Sequence, residues 1–134
     1  MIHDLIDRFF SSPLMRKIMS RERTPRGLQE LRIEGKGYLR FASWGDWYGV
    51  FLEYREIWVE KAERQKGWGS KLMAMLVEEA KKRGLSEIYV RADTDGKSDV
   101  LGKFITKNGF LPIGNEEKEE YRRKEFGFTF KKTI

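Results

Sequence analysis

A strand, a glycine-containing turn and a helix follow one another without a break between Trp47 and Arg83, and this junction limits the fold more than any other stretch. Trp47 to Glu60 is rich in aromatic and β-branched residues, the composition of a pleated strand. Its apolar parity changes from Val50, Leu52 and Tyr54 to Ile57 and Val59, which predicts a bulge or kink near Arg55 and Glu56. Leu72, Met75, Leu76 and Ala80 then make a helical stripe that Gly84 ends, predicting a helix from about Trp68 to Arg83. Between the two lies Val59-Glu60-Lys61-Ala62-Glu63-Arg64-Gln65-Lys66-Gly67-Trp68-Gly69-Ser70. Gly67 and Gly69 carry no Cβ, so a ligand can come close to the backbone. The first N–H groups of a helix lack intrahelical partners and sit at its positive end. A strand, a basic glycine turn and a helix N-terminus together suit an anion, most naturally a pyrophosphate.

The other elements extend this into a mixed α/β layer. Ile2, Leu5, Ile6, Phe9 and Phe10 share a helix face, and Ser12-Pro13 starts a second short helix through Leu14, Met15, Ile18 and Met19. Leu28 to Glu34 and Gly37 to Ser43 flank a hairpin turn, and Trp44-Gly45-Asp46 reads as the next turn. After the glycine turn and its helix, Ile88, Val90 and Ala92 alternate as a strand. Val100, Leu101, Phe104 and Ile105 lie on a helix that stops at Asn108-Gly109, and Phe110 to Ile113 is a short strand. A charged stretch from Glu116 to Lys124 precedes a last strand through Phe126, Phe128 and Phe130. At 134 residues this is one domain, spanning 1–134, with no internal repeat.

Composition narrows the chemistry. With no cysteine and one histidine, His3, near the terminus, thiolate nucleophiles, disulfide scaffolds and His-rich metal centres are excluded, and no metal is expected. The N-terminus has acidic residues where a signal peptide needs basic ones, and no apolar run approaches the roughly 18 residues of a membrane span. A cytoplasmic protein without a membrane partner is the expectation. A net charge of +6, from 27 basic and 21 acidic residues, points to a polyanionic partner or simply to a charge-dense surface.

Two known glycine motifs fit badly. A P-loop needs four residues between its glycines, and a dinucleotide fingerprint needs a third glycine where Leu72 stands. The segment Arg64-Gln65-Lys66-Gly67-Trp68-Gly69 instead resembles motif A of the GNAT superfamily of N-acetyltransferases, Arg/Gln-x-x-Gly-x-Gly/Ala. Phe104-Ile105-Thr106-Lys107-Asn108-Gly109-Phe110 is similar to the end of that family's motif B. The likeness runs from about Glu53 to Gly114, and the leading helix pair and meander agree with the family's fold. The first strand usual in the family is missing, leaving an edge that a second copy of the chain could cover.

This resemblance implies transfer of an acetyl group from acetyl-CoA to an amine by direct attack in a ternary complex. The pyrophosphate would lie on backbone N–H groups from Gln65 to Ser70, with charge added by Arg64 and Lys66. The pantetheine arm would pair like an added strand with Ile57, Trp58 and Val59. An amine with a pKa near 10.4 needs a base to become a nucleophile. The family's glutamate, six positions before the aliphatic strand end, corresponds to Glu53, with Glu56 and Glu60 as alternatives. Burial beside Leu52 and Tyr54 would raise its pKa. A backbone N–H near Val59 would meet the oxyanion. The tyrosine that many members carry in motif B is replaced by Ile105, leaving Tyr89 or Tyr121 as candidate acids. The acceptor is a small-molecule amine or a protein lysine or N-terminus, which Glu116, Glu117, Glu119 and Glu120 could attract. The competing reading is a fold of this kind that senses acetyl-CoA, or binds nucleic acid through Arg16-Lys17, Arg21 to Arg26 and Arg122-Arg123-Lys124, without catalysis.

Overall fold

The computed structural model describes residues 27–46, 49–114, 123–124 and 126–134. The helix pair expected at the start, Trp47, Tyr48, the glutamates at 116–120, Tyr121 and Arg122 lie outside the described residues. Six strands form one mixed sheet: β1 (Gln29–Ile33), β2 (Gly37–Asp46), β3 (Gly49–Val59), β4 (Glu87–Val90), β5 (Leu111–Pro112) and β6 (Phe130–Thr133). Their order is β1-β2-β3-β4-β6-β5. Only β3 and β4 run parallel. A parallel pair requires a crossover, and helix α1 (Trp68–Lys82) supplies it, while α2 (Val100–Lys107) links β4 to β5.

An apolar cluster lies on each face of the sheet. Leu39, Phe41, Leu52, Tyr54, Ile88 and Val90 meet Leu72, Met73, Leu76 and Ala80 of α1 and Ile105 of α2 in the larger cluster. On the opposite face Ala42, Trp44, Phe51, Tyr89, Ile113 and Phe128 form a second cluster, with Phe51 and Tyr89 edge-on at 4.7 Å. The parity change in β3 is a bulge. Arg40 pairs with Glu56 and the next residue, Phe41, pairs with Tyr54, so Arg55 is an extra residue on β3. The insertion returns Ile57 and Val59 to the helix side, where they pack against the larger cluster.

Three boundaries differ from the sequence reading. Trp44, Gly45 and Asp46 belong to β2, paired with Phe51, Val50 and Gly49, and are not a turn. Burial of the Trp44 ring edge-on to Phe128 at 5.7 Å outweighs the turn preference of Gly-Asp. The strand through Ala92 ends at Val90, because the Ala92 N–H donates to Thr129 Oγ1 rather than to a strand. The last strand starts at Phe130, since Gly127 adopts φ 94° and the Phe128 N–H turns back to the Arg123 carbonyl. Phe126 is consequently 52% exposed, while Phe128 and Phe130 are buried.

Candidate functional site

The parallel pairing of β3 with β4 stops at Tyr54 opposite Val90, yet β3 continues five residues to Val59. The two strands therefore diverge, and the side of β3 away from β2 is left open beyond Tyr54. The Glu60 N–H donates to Lys36 O at 2.7 Å, towards the β1–β2 turn. Strand alternation then points Trp58 the same way and turns the N–H and C=O of Ile57 and Val59 to the open edge. Arg64 Nε confirms the side by donating to the Val59 carbonyl at 3.0 Å.

A groove of about 670 Å³ runs along this edge, lined by β3, the glycine turn and the start of α2. A short 3-10 turn at Lys61–Glu63 carries the chain from β3 to the helix. Gln65, at φ 65°, is the single non-glycine residue with positive φ among the described residues. Gly67 follows at φ 84° and caps α1 without a side-chain hydrogen bond. The first α1 bond runs from Lys71 N to Gly67 O, so the N–H groups of Trp68, Gly69 and Ser70 have no intrahelical acceptor. With no acidic side chain in that first turn, the positive end of the helix is uncompensated. Gly69 is closely packed: a Cβ there would stand 3.2 Å from Phe104 Cε1, and that ring would have to give by a few tenths of an ångström. Trp68 Nε1 is buried without a hydrogen-bond partner, and Lys36 and Lys71 lie 5.2 Å from the Trp68 ring.

Of the residues singled out in the sequence, Ile57, Val59, Arg64, Gln65, Gly67, Trp68 and Gly69 come together at the groove. Trp58, Lys66 and Ser70 do not line it. The Trp58 ring stacks on Tyr38 at 5.9 Å. Lys66 pairs with Glu63 at 3.2 Å; Lys36, at 2.6 Å, and then Lys66 hold that carboxyl below the usual range. The sequence reading missed Tyr54, Val100, Leu101 and Phe104 as groove residues. Apolar Val100, 87% exposed at the start of α2, was the available signal.

Glu53 lies across the sheet from the groove. Its neighbours in register are Ala42 and Tyr89, on the face of the second cluster, whereas Leu52 and Tyr54 point to the helices. Its side chain is 2% exposed. Trp44 Nε1 donates to Oε1 at 2.7 Å, and Arg55 and Arg91 approach the two carboxyl oxygens at 3.8 Å each. Burial raises its pKa above the ordinary 4.5, opposed by Arg91, the Trp44 hydrogen bond and Arg55. Arg55 also lines the groove, so the bulge links the carboxylate to the open edge. Glu56, one of the two alternative bases, does line the groove, where its carboxylate bonds Arg40 at 2.8 Å; Glu60 does not line it.

Tyr89 is fully buried, and its hydroxyl is held between Arg123 and Glu87, away from the groove. Arg123, counted in the sequence as part of a basic patch, is 4% exposed and bonds Glu87 at 2.8 Å, so it is not available to a polyanion. Among the described residues no group of acidic or histidine side chains is arranged to hold a metal, and no helix is long and apolar enough to cross a membrane.

A splayed strand and an uncapped helix N-terminus make a geometry suited to an extended ligand with an anionic end. The acetyltransferase (GNAT) family model matches residues 7–110, and the chain belongs to that family of acyltransferases. A comparison with curated proteins gives no match. Among solved structures, GCN5 of Tetrahymena superposes with TM-score 0.59 at 14% identity, covering 98% of this chain and 83% of that one. PaiA N-acetyltransferase of Thermoplasma acidophilum, in complex with coenzyme A, gives 0.52 at 17% identity, with 74% and 54% covered. N-acetylglutamate synthase of Neisseria gonorrhoeae, complexed with coenzyme A and N-acetylglutamate, gives 0.56 at 17% identity, with 89% and 31% covered.

Proposed function

We propose that the chain transfers the acetyl group of acetyl-CoA to a primary amine, on a small molecule or a protein lysine or N-terminus, by direct attack within a ternary complex. The observation that carries this reading is the open edge of β3 beyond Tyr54, leading straight into the uncapped N-terminus of α1. The pyrophosphate rests on N–H groups between Gln65 and Ser70, and the pantetheine arm adds to β3 through Ile57 and Val59, the two residues whose backbone faces the edge. Trp58, whose backbone turns to β2, contributes through its neighbours only. Arg64 anchors the turn through the Val59 carbonyl, and Lys66, paired with Glu63 outside the groove, adds only the charge of the turn.

Glu53 serves as the general base through water. It withdraws the amine proton, the nitrogen attacks the acetyl carbon, and the electron pair of the breaking C–S bond leaves on sulfur. The oxyanion donor is the N–H of Ile57 rather than of Val59. At about 3.3 Å per residue, Val59 lies roughly 20 Å along the strand from Glu53, too far for one reacting centre, whereas Ile57 is nearer by two residues. The CoA complexes of the two relatives support the choice of ligand.

The test is thiol release from acetyl-CoA in the presence of polyamines, aminoglycosides and lysine peptides. Amine-dependent release above the blank is expected. Salt-dependent DNA binding with no thiol released by any amine would replace this reading with a non-catalytic one.

A further inference from the structure

Tyr54 stands at the closed end of the groove, as the last β3 residue paired with β4. Its ring lies on the helix side, lining the groove with Ile57 and Phe104, whose ring is 6.4 Å away. The side chain is buried, at 3% exposure, yet its hydroxyl has no hydrogen-bond partner among the described residues. Among the described residues Trp68 Nε1 is the one wholly enclosed side-chain polar atom without a partner, so the Tyr54 oxygen, on a ring that lines the groove, is not wholly enclosed. A nearly buried hydroxyl without a protein partner is unusual and costs stability unless a ligand satisfies it. No other described phenol substitutes for it. Tyr89 is bonded on the opposite face, and Tyr38 stacks on Trp58.

We infer that the Tyr54 hydroxyl donates a hydrogen bond to the sulfur of the bound thioester and to the thiolate that leaves from it. This rests on the reading of the groove as an acetyl-CoA site. With the pyrophosphate at the α1 end and the arm running from Val59 to Ile57, the thioester reaches the closed end. Its carbonyl oxygen takes the Ile57 N–H, and sulfur is the polar atom left to face Tyr54.

Magnitudes decide between donor and acid. Burial pushes the Tyr54 phenol up to about 12, whereas a thiol ionises near 8.5. Passing the proton to the thiolate would be uphill by about three thousandfold, so it stays on tyrosine. The C–S electron pair remains on sulfur as a hydrogen-bonded thiolate, and the amine proton leaves through Glu53.

The consequence can be read without knowing the acceptor. A donor aimed at sulfur lowers the pKa of the thiol of bound CoA, followed by its thiolate absorbance during a pH titration of the complex. The bound thiol is expected one to two pH units lower in the wild-type protein than in Tyr54→Phe, the range of a hydrogen bond to a charged group. Tyr54→3-fluorotyrosine, a stronger donor of the same shape, should lower it further. Superimposable titrations of wild type and Tyr54→Phe would overturn the assignment while leaving the cofactor site intact. Absence of CoA binding to the wild type would remove the site itself.

Discussion

Replacing Glu53 by glutamine separates the contribution of its charge to chemistry from its contribution to the fold. Glutamine keeps the shape and can still accept the Trp44 Nε1 hydrogen bond of 2.7 Å, but it removes a charge 3.8 Å from each of two guanidiniums. At an effective dielectric of about 20, each attraction is on the order of 4 kcal/mol. Burying a carboxylate costs several kcal/mol in the other direction. The upward direction of the Glu53 pKa says that burial is the larger effect, so loss of the charge at neutral pH should not destabilise the protein. Because the folded carboxyl holds its proton more tightly than the exposed value of 4.5, its stabilising contribution is whole below about pH 4.5. That contribution is lost as pH rises through the folded value. Wild type should therefore lose stability across that window relative to Glu53→Gln. Catalysis behaves oppositely: kcat/KM should rise as Glu53 ionises and fall about 10²- to 10⁴-fold in the variant. Thiol release from acetyl-CoA with the best amine, and thermal melts at pH 5 and pH 7.5, measure both. A variant within threefold of wild-type kcat/KM, or one whose lost activity tracks unfolding, refutes the role.

Two further substitutions probe the supports of the site. Gly67→Ala places a side chain in open space at φ 84°, so its cost is backbone conformation alone, about 1–2 kcal/mol, and the melting temperature should fall by several degrees. Asparagine at the same position should recover at least half of that loss, and equal falls would contradict the cause assigned. Trp44→Phe keeps an aromatic ring against Phe128 but withdraws the donor from Glu53, so the acidic limb of kcat/KM should move to higher pH. An unmoved limb would show that Glu53 does not set it.

The parts of this molecule legible in the sequence are those written in local periodicity. The bulge at Arg55 follows from the parity of Val50, Leu52 and Tyr54 against Ile57 and Val59, because one inserted residue reverses every side chain beyond it. The glycine turn is legible because Gly67 and Gly69 serve different local purposes, a left-handed backbone and a closely packed helix face. Partners across the sheet were not legible. Nothing near Glu53 in sequence announces Arg91, and Arg123 reads as one more surface cation until β4 brings Glu87 and Tyr89 beside it. Tyr54 reads as an ordinary apolar strand residue, since only the end of β3–β4 pairing places it at the closed end of the groove.

Isothermal titration of the purified protein with acetyl-CoA and with free CoA tests the central claim most directly, set beside a Gly67→Asp, Gly69→Asp double variant shown by circular dichroism to be folded. Micromolar binding by the wild type, lost in the variant that puts two carboxylates at the N-terminus of α1, is the predicted result. No binding by the wild type, or equal binding by both proteins, would contradict it.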